Sequence, residues 1–228
     1  MSTGLPEGVS SGALRNALRA ALGAVLADGG SDSAHDLAHA ERVWANARTI
    51  AMGDGLQPSG VLMAAAYLHD LVTLPKDHPQ RGRAATMSAT AAGPIMEALG
   101  FTARDIAQAR HVIEAHSFST GVEPQTLEAA ILRDADRIEA LGAVGIARCF
   151  SVSGALGRSL FQADDPFARD RKLDDQSYAL DHFAVKLLRL PDTMLTVTGR
   201  KLAQERADTI RHFLRDLARE LHVPAPDW

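Results

Sequence analysis

Apolar residues in this chain recur every three or four positions and almost nowhere every second one. That spacing belongs to helices with one buried face, not to strands. In "ALRNALRAALGAVLAD", Leu14, Leu18, Leu22 and Val25 form one stripe, which Gly29-Gly30 ends. "SDSAHDLAHAERVWANARTIAM" predicts a second helix, with Ser31 to Ser33 as candidate caps and Gly53 as the stop. "PSGVLMAAAYLHD" predicts a third, closed by the loop "LPKDHPQRG". "RAATMSATAAGPIMEALG" is interrupted at Gly93-Pro94, which predicts two short helices or a kink. Thr102 and Asp105 form a cap for "ARDIAQARHVIEAH", and Pro124 sits near the first turn of "PQTLEAAILRDADRIEAL", continued through "GIARCF". Residues 161–177 lie in a stretch rich in Gly, Pro and charge, an irregular excursion that suits a lid or a plain surface loop. Two helices follow, "SYALDHFAVKLLRL" and one after Pro191 in which Ile210, Phe213, Leu214, Leu217 and Leu221 keep the helical repeat. With no alternating run and no Asn-Gly turn, the fold class is all-α, a single-domain helical bundle.

The 228 residues are enough to bury a core without staples. Lys plus Arg is 24 against 28 Asp plus Glu, a net charge of -4, so no excess of positive charge attracts a nucleic-acid polymer. A local basic pocket for a small phosphorylated ligand is compatible with that balance. No segment has the length of a membrane span, and the amino terminus lacks the features of a signal peptide. The one cysteine, Cys149, excludes an intrachain disulfide and argues against cysteine-ligated metal; in "GIARCFSV" it reads as a small buried thiol. A cytoplasmic protein is expected.

Nine histidines direct attention to metal-ligand spacing. His35 and His39 lie four apart and share a helix face. His69 and Asp70 end the third helix, and His111 and His116 bracket the end of the fifth. Asp134 and Asp136 stand in "ILRDADRIEAL" among apolar residues, where charge is expensive. A single histidine on an apolar face is usually a hydrogen-bonded core residue, and either aspartate can pair with Arg133 or Arg137. The weight lies in the order: His, then His-Asp, then Asp. Neutral imidazole with carboxylate suits Mn, Fe, Ni, Co or Zn, and carboxylate-rich sets suit Mg. Periodicity does not choose between Asp134 and Asp136, because that helix is apolar on more than one side.

"HAERVWANARTIA", "AAAYLHDL" and "LRDADRIEALGA" in that order resemble the HD-domain superfamily of metal-dependent phosphohydrolases. The likeness extends to "LPKDHPQRGRAATMSA", "VIEAHSFS" and "HFAVKLLRLPDTMLTVTGRKLAQERADTIRHFL", features of a bacterial subfamily that includes a nucleoside triphosphate pyrophosphohydrolase. It implies an HD-type domain over residues 31–222, with a helix in 1–30 packing on it and a short tail at 223–228. It also implies one divalent ion held by His39, His69, Asp70 and Asp136, the last by its place in "ADRI".

Four ligands leave open positions on an octahedral ion, and fixed cations beside the phosphoryl group are the other requirement. Lys76 and Arg81, just past the His-Asp pair, are the candidates for binding substrate, with His35 lining the pocket. Asp70 and His116 are the catalytic candidates, His116 as a contact to substrate or a proton donor to the leaving group. Some nucleotidase relatives carry a glutamate after the His-Asp pair; here Leu71, Val72, Thr73 and Leu74 offer none. The expected activity is hydrolysis of a nucleoside triphosphate to monophosphate and pyrophosphate. The alternatives are a nucleotide monophosphatase, a cyclic-nucleotide phosphodiesterase or a non-catalytic metal-bound ligand sensor. A helical two-iron oxygenase would want more ligands. Apolar stripes on the last two helices can pack inward or pair subunits as a homodimer.

Overall fold

A helix without a polar face has to be enclosed, and "GVLMAAAYL" has none. In the computed structural model, which describes residues 4–29, 36–74 and 78–228, that run is α3 (Gly60–Leu68), and all nine of its residues are buried. Around it pack α1 (Ser11–Gly29), α2 (Leu37–Gly53), α4 (Ala84–Ala98) and α5 (Ala103–His116). Leu14, Leu18 and Leu22 of the predicted stripe are buried. Residue 60 has to be glycine: a Cβ there would stand 2.3 Å from the Gly4 carbonyl oxygen, where the incoming chain crosses the start of α3. Beyond α5 come α6 (Leu127–Ile138), α7 (Gly142–Ala155), the short α8 (Asp181–Val185) and α9 (Val197–Glu220). No strand occurs among the described residues, only an isolated bridge between Ser159 and Tyr178. The all-α expectation holds.

The helix ends follow local chemistry. Ser59 caps α3 by accepting from the Leu62 N–H, and Thr102 and Asp105 make the reciprocal box that starts α5. The cap of α2 is Asp36, whose carboxylate accepts from the His39 N–H at 2.8 Å; Ser31 to Ser33 lie outside the described residues. Of the two outcomes expected at Gly93-Pro94, two short helices or a kink, the first does not occur: α4 runs as one helix through Pro94. Proline crowds the Cβ of the residue before it, and Gly93 has none, which removes that clash. The long helix expected over "SYALDHFAVKLLRL" is instead α8 followed by a 3-10 segment, Leu187–Thr193, that contains Pro191.

The chain divides into two compact units, Met1–Asp136 and Arg137–Trp228, with the division inside the last turn of α6. In the second unit α7 packs on α9, and the rings of Phe150, Phe183 and Phe213 cluster at 5.8–6.2 Å between centroids. The 161–177 excursion is tied down. Arg171 forks onto the fully buried Asp181 at 2.5 and 2.8 Å and lies over the Tyr178 ring. The carboxy-terminal tail is pinned to it, with the Trp228 indole donating to the Phe167 carbonyl and Arg169 to that of Ala225. Cys149 is buried, as expected, its Sγ 3.6 Å from the Ala179 carbonyl oxygen. Among the described residues no single helix is long and apolar enough to cross a membrane.

Candidate metal centre

Four helices of the first unit end or begin at one place. His39 lies in the first turn of α2, where the Asp36 cap holds its backbone. His69 caps the C-terminus of α3, Asp70 follows it, His116 is the last residue of α5, and Asp136 lies in the last turn of α6. The last turns of three helices thus gather, each with the partial negative charge of a helix C-terminus. Such a place favours a cation before any side chain is counted.

The side chains converge. His39 Nε2 and His69 Nε2 stand 3.4 Å apart. Asp70 Oδ2 lies 3.3 Å from His69 Nε2 and 3.8 Å from His39 Nε2, and Asp136 Oδ1 lies 3.5 Å from His39 Nε2 and 3.8 Å from His69 Nε2. The other oxygen of Asp70, Oδ1, is 3.7 Å from His116 Nε2. The imidazoles of His39, His69 and His116 are buried, while Asp70 and Asp136 are partly open to solvent.

Two of the tautomers are set from behind. His69 Nδ1–H donates to the Ala66 carbonyl at 3.0 Å, and His116 Nδ1–H donates to that of Ile113 at 2.5 Å. In each ring the lone pair is left on Nε2, facing the cluster. Burial lowers the His69 pKa, but Asp70 and then Asp136 outweigh it and push it up to about 9. His116 moves the other way, lowered by burial and then by His69. Asp136 falls below the usual carboxylate range: burial raises it, and the three imidazoles together overcome that. The rise at His69 reports a carboxylate field that stabilises positive charge beside its ring, and the same field favours a divalent cation. Nitrogen and oxygen donors at mutual distances of 3.3–3.8 Å fit a single such ion.

Asp134, the rival for the last position, is fully buried in α6, and the carboxylate that reaches the two imidazoles is that of Asp136. Arg81 is exposed and its guanidinium donates to the Leu74 carbonyl at 2.7 Å. His35 and Lys76 lie outside the described residues. His111 accepts from the Gln125 N–H at 3.1 Å and so fastens the approach to α6. Two supporting residues were not singled out from sequence. Asn46, two turns after His39 on the same face of α2, donates to the Ala135 carbonyl at 3.2 Å and holds α6 beside Asp136. The buried Ser88 of α4 accepts from the Val72 N–H at 3.0 Å and steadies the chain just after Asp70. A lone buried Asn seven residues after a ligand was the available signal for the first; nothing in the local pattern marks the second.

The HD-domain profile matches residues 36–141, the stretch that carries His39, His69, Asp70, His116 and Asp136. HD domains bind divalent metal ions, so fold and site together define a class: an all-α hydrolase built on a histidine–aspartate metal centre. Bacillus subtilis YpgQ is 39% identical over 115 residues, which is 49% of this chain and half the length of that protein. Its crystal structure in complex with ADP superimposes with a TM-score of 0.68 and 30% identity, over 94% of this chain and 97% of YpgQ. An HD-superfamily hydrolase of Bacillus thuringiensis superimposes with a TM-score of 0.70 and 26% identity, covering 92% and 97%. The chain belongs to the HD-domain family of metal-dependent phosphohydrolases.

Proposed function

We propose that the chain hydrolyses a phosphate anhydride of a nucleotide, releasing pyrophosphate from a nucleoside triphosphate and leaving the monophosphate. His39, His69, Asp70 and Asp136 would hold one divalent ion, with His39 and His69 as the nitrogen donors. When bound, such an ion lowers the pKa of a coordinated water and polarises a phosphoryl oxygen. The observation that carries the reading is the split of the Asp70 carboxylate: Oδ2 faces the two imidazoles while Oδ1 faces His116. One side chain thereby joins the ion-binding set to a buried imidazole. With its Nδ1–H committed to Ile113, His116 has Nε2 as an acceptor, so it takes a proton from the attacking water by way of Asp70. It can then return that proton to the leaving pyrophosphate. This assigns His116 first as base and only afterwards as acid. Arg81, just past the His-Asp pair, is assigned to the phosphates, and Lys76 and His35 keep their expected roles in binding substrate. The nucleotide class is supported by the ADP held by YpgQ. The single cysteine suits a cytoplasmic setting.

The test is a release assay over nucleoside tri-, di- and monophosphates with Mn, Mg, Co, Ni, Fe and Zn. Pyrophosphate and nucleoside monophosphate should appear in equal amounts, and His69→Ala should abolish both. Orthophosphate as the sole product, or full activity in His69→Ala, would overturn the assignment.

A further inference from the structure

The chain leaving His116 forms a built projection. A 3-10 turn, Phe118–Thr120, follows α5 directly. The Thr120 hydroxyl lies 2.9 Å from both the Glu114 and the Ser117 carbonyl oxygens, Ser117 and Ser119 join hydroxyls at 2.8 Å, and Gly121 closes the turn at a φ of 68°. What this braced turn displays is an aromatic ring. Phe118 is 85% exposed, the most exposed large apolar side chain among the described residues, whereas every other phenylalanine is buried or half-buried. An isolated exposed apolar residue is ordinary. This one is placed. Consecutive Cα atoms are about 3.8 Å apart, so the Phe118 Cα lies within about 7.6 Å of that of His116, whose ring touches the metal centre.

The turn also packs against the 3-10 turn Arg81–Arg83, with Gly82 at the contact: a Cβ there would lie 3.7 Å from the Ser119 carbonyl oxygen. Arg81 is tethered to Leu74, on the segment that leaves Asp70, and Arg83 is exposed. An aromatic face and two guanidinium-bearing residues therefore sit side by side on the two segments that leave Asp70 and His116. Any nucleobase can stack on an aromatic face, and guanidinium groups pair with phosphate oxygens.

We propose that Phe118 is a specificity residue on which the base of a nucleotide stacks while its phosphates reach the centre formed by His39, His69, Asp70 and Asp136. This rests on the reading of the substrate as a nucleotide. It requires the base to contribute to binding through one side chain that touches neither the metal ligands nor His116.

The experiment compares the wild-type protein, Phe118→Ala and Phe118→Trp in the presence of Mn. Binding of ADP and of inorganic pyrophosphate is measured by calorimetry, and hydrolysis of ATP and of inorganic triphosphate is followed in parallel. Phe118→Ala should weaken ADP at least about five-fold and raise KM for ATP by a similar factor, leaving pyrophosphate binding unchanged. Phe118→Trp should restore both. The proposal is overturned if ADP affinity is unchanged in Phe118→Ala, if pyrophosphate is lost equally, or if the wild type binds ADP no more tightly than pyrophosphate. Wild type that binds ADP through Phe118 yet hydrolyses no nucleotide would uphold the stacking site and defeat the assigned reaction. Hydrolysis that is indifferent to Phe118→Ala would do the reverse.

Discussion

His69 and Asp70 adjoin one another at the end of a helix that is otherwise wholly apolar, which is tolerable only where their charges are compensated. The compensation is mutual: imidazole nitrogens meet carboxylate oxygens at 3.3–3.8 Å, in a field that favours a cation. Removing one donor exposes that dependence. His69→Ala should weaken Mn binding by more than about 100-fold, the upper range seen when even a residue supporting a ligand is lost, as read by calorimetry. A second charged group, on α2 two residues after His39, shows how pH acts on the fold. Glu41 pairs with Arg15 and with Arg19, the latter at 2.6 Å, and Arg15 also donates to the buried Tyr67 hydroxyl at 3.1 Å. Burial raises the Glu41 pKa, but Arg15, then Tyr67 and Arg19, prevail and hold it below the ordinary value of 4.5. A depressed carboxylate contributes stability that is present above about pH 4.5 and lost as pH falls through its folded value. Glu41→Gln should therefore lower the urea midpoint at pH 7, and the gap from wild type should close on acidification below pH 4. A gap that is constant from pH 7 to pH 3.5 would deny Glu41 that role.

At the scale of elements, what could be read from sequence was whatever is local. The capping box of α5 and the apolar stripes of α1 and α9 depend on residues three or four apart, so the pattern carries them. At Gly93-Pro94 the helix is not divided, because the residue before the proline has no Cβ to crowd, whereas Pro191 and a non-helical Lys186 at φ -130° shorten the "SYALDHFAVKLLRL" segment. The cluster of His39, His69 and Asp70 was legible because its motif spans helix ends in order, while the proposal of Asp136 over Asp134 leans on the position within "ADRI". The ties that aim these helices were not legible, because they join elements distant in sequence. The bond from Asn46 to Ala135 is one, and it implies a consequence. Asn46→Ala leaves a buried contact between α2 and α6 unmade, which costs about 1–3 kcal/mol. The denaturation midpoint should fall accordingly. Because the bond holds the residue before Asp136, Mn affinity should fall too, with the fold retained by circular dichroism.

For the whole molecule, the relevant fact is how far apart in the chain the four proposed ligands lie. Residues 39, 69, 70 and 136 belong to α2, the end of α3 and α6, and all fall within the unit Met1–Asp136. An unfolded chain has no reason to bring them together, so an ion that needs all four binds the folded state and not the unfolded one. Ligand at 100 times its Kd then adds about 2.7 kcal/mol to stability. Each kcal/mol moves the Tm of a domain of 150–250 residues by about 2–4 °C, and a unit of this size responds at least as strongly. Saturating Mn should accordingly raise the unfolding temperature by about 5–10 °C in scanning calorimetry, and a chelator should reverse the rise. The shift should vanish in His69→Ala and be much reduced in Asp136→Asn, while Asp134→Asn, which leaves all four donors in place, should unfold earlier yet keep its response to Mn. That last variant separates a ligand from a buried neighbour two residues away. If Asp134→Asn loses the Mn response and Asp136→Asn retains it, the donor set has been assigned to the wrong aspartate of α6.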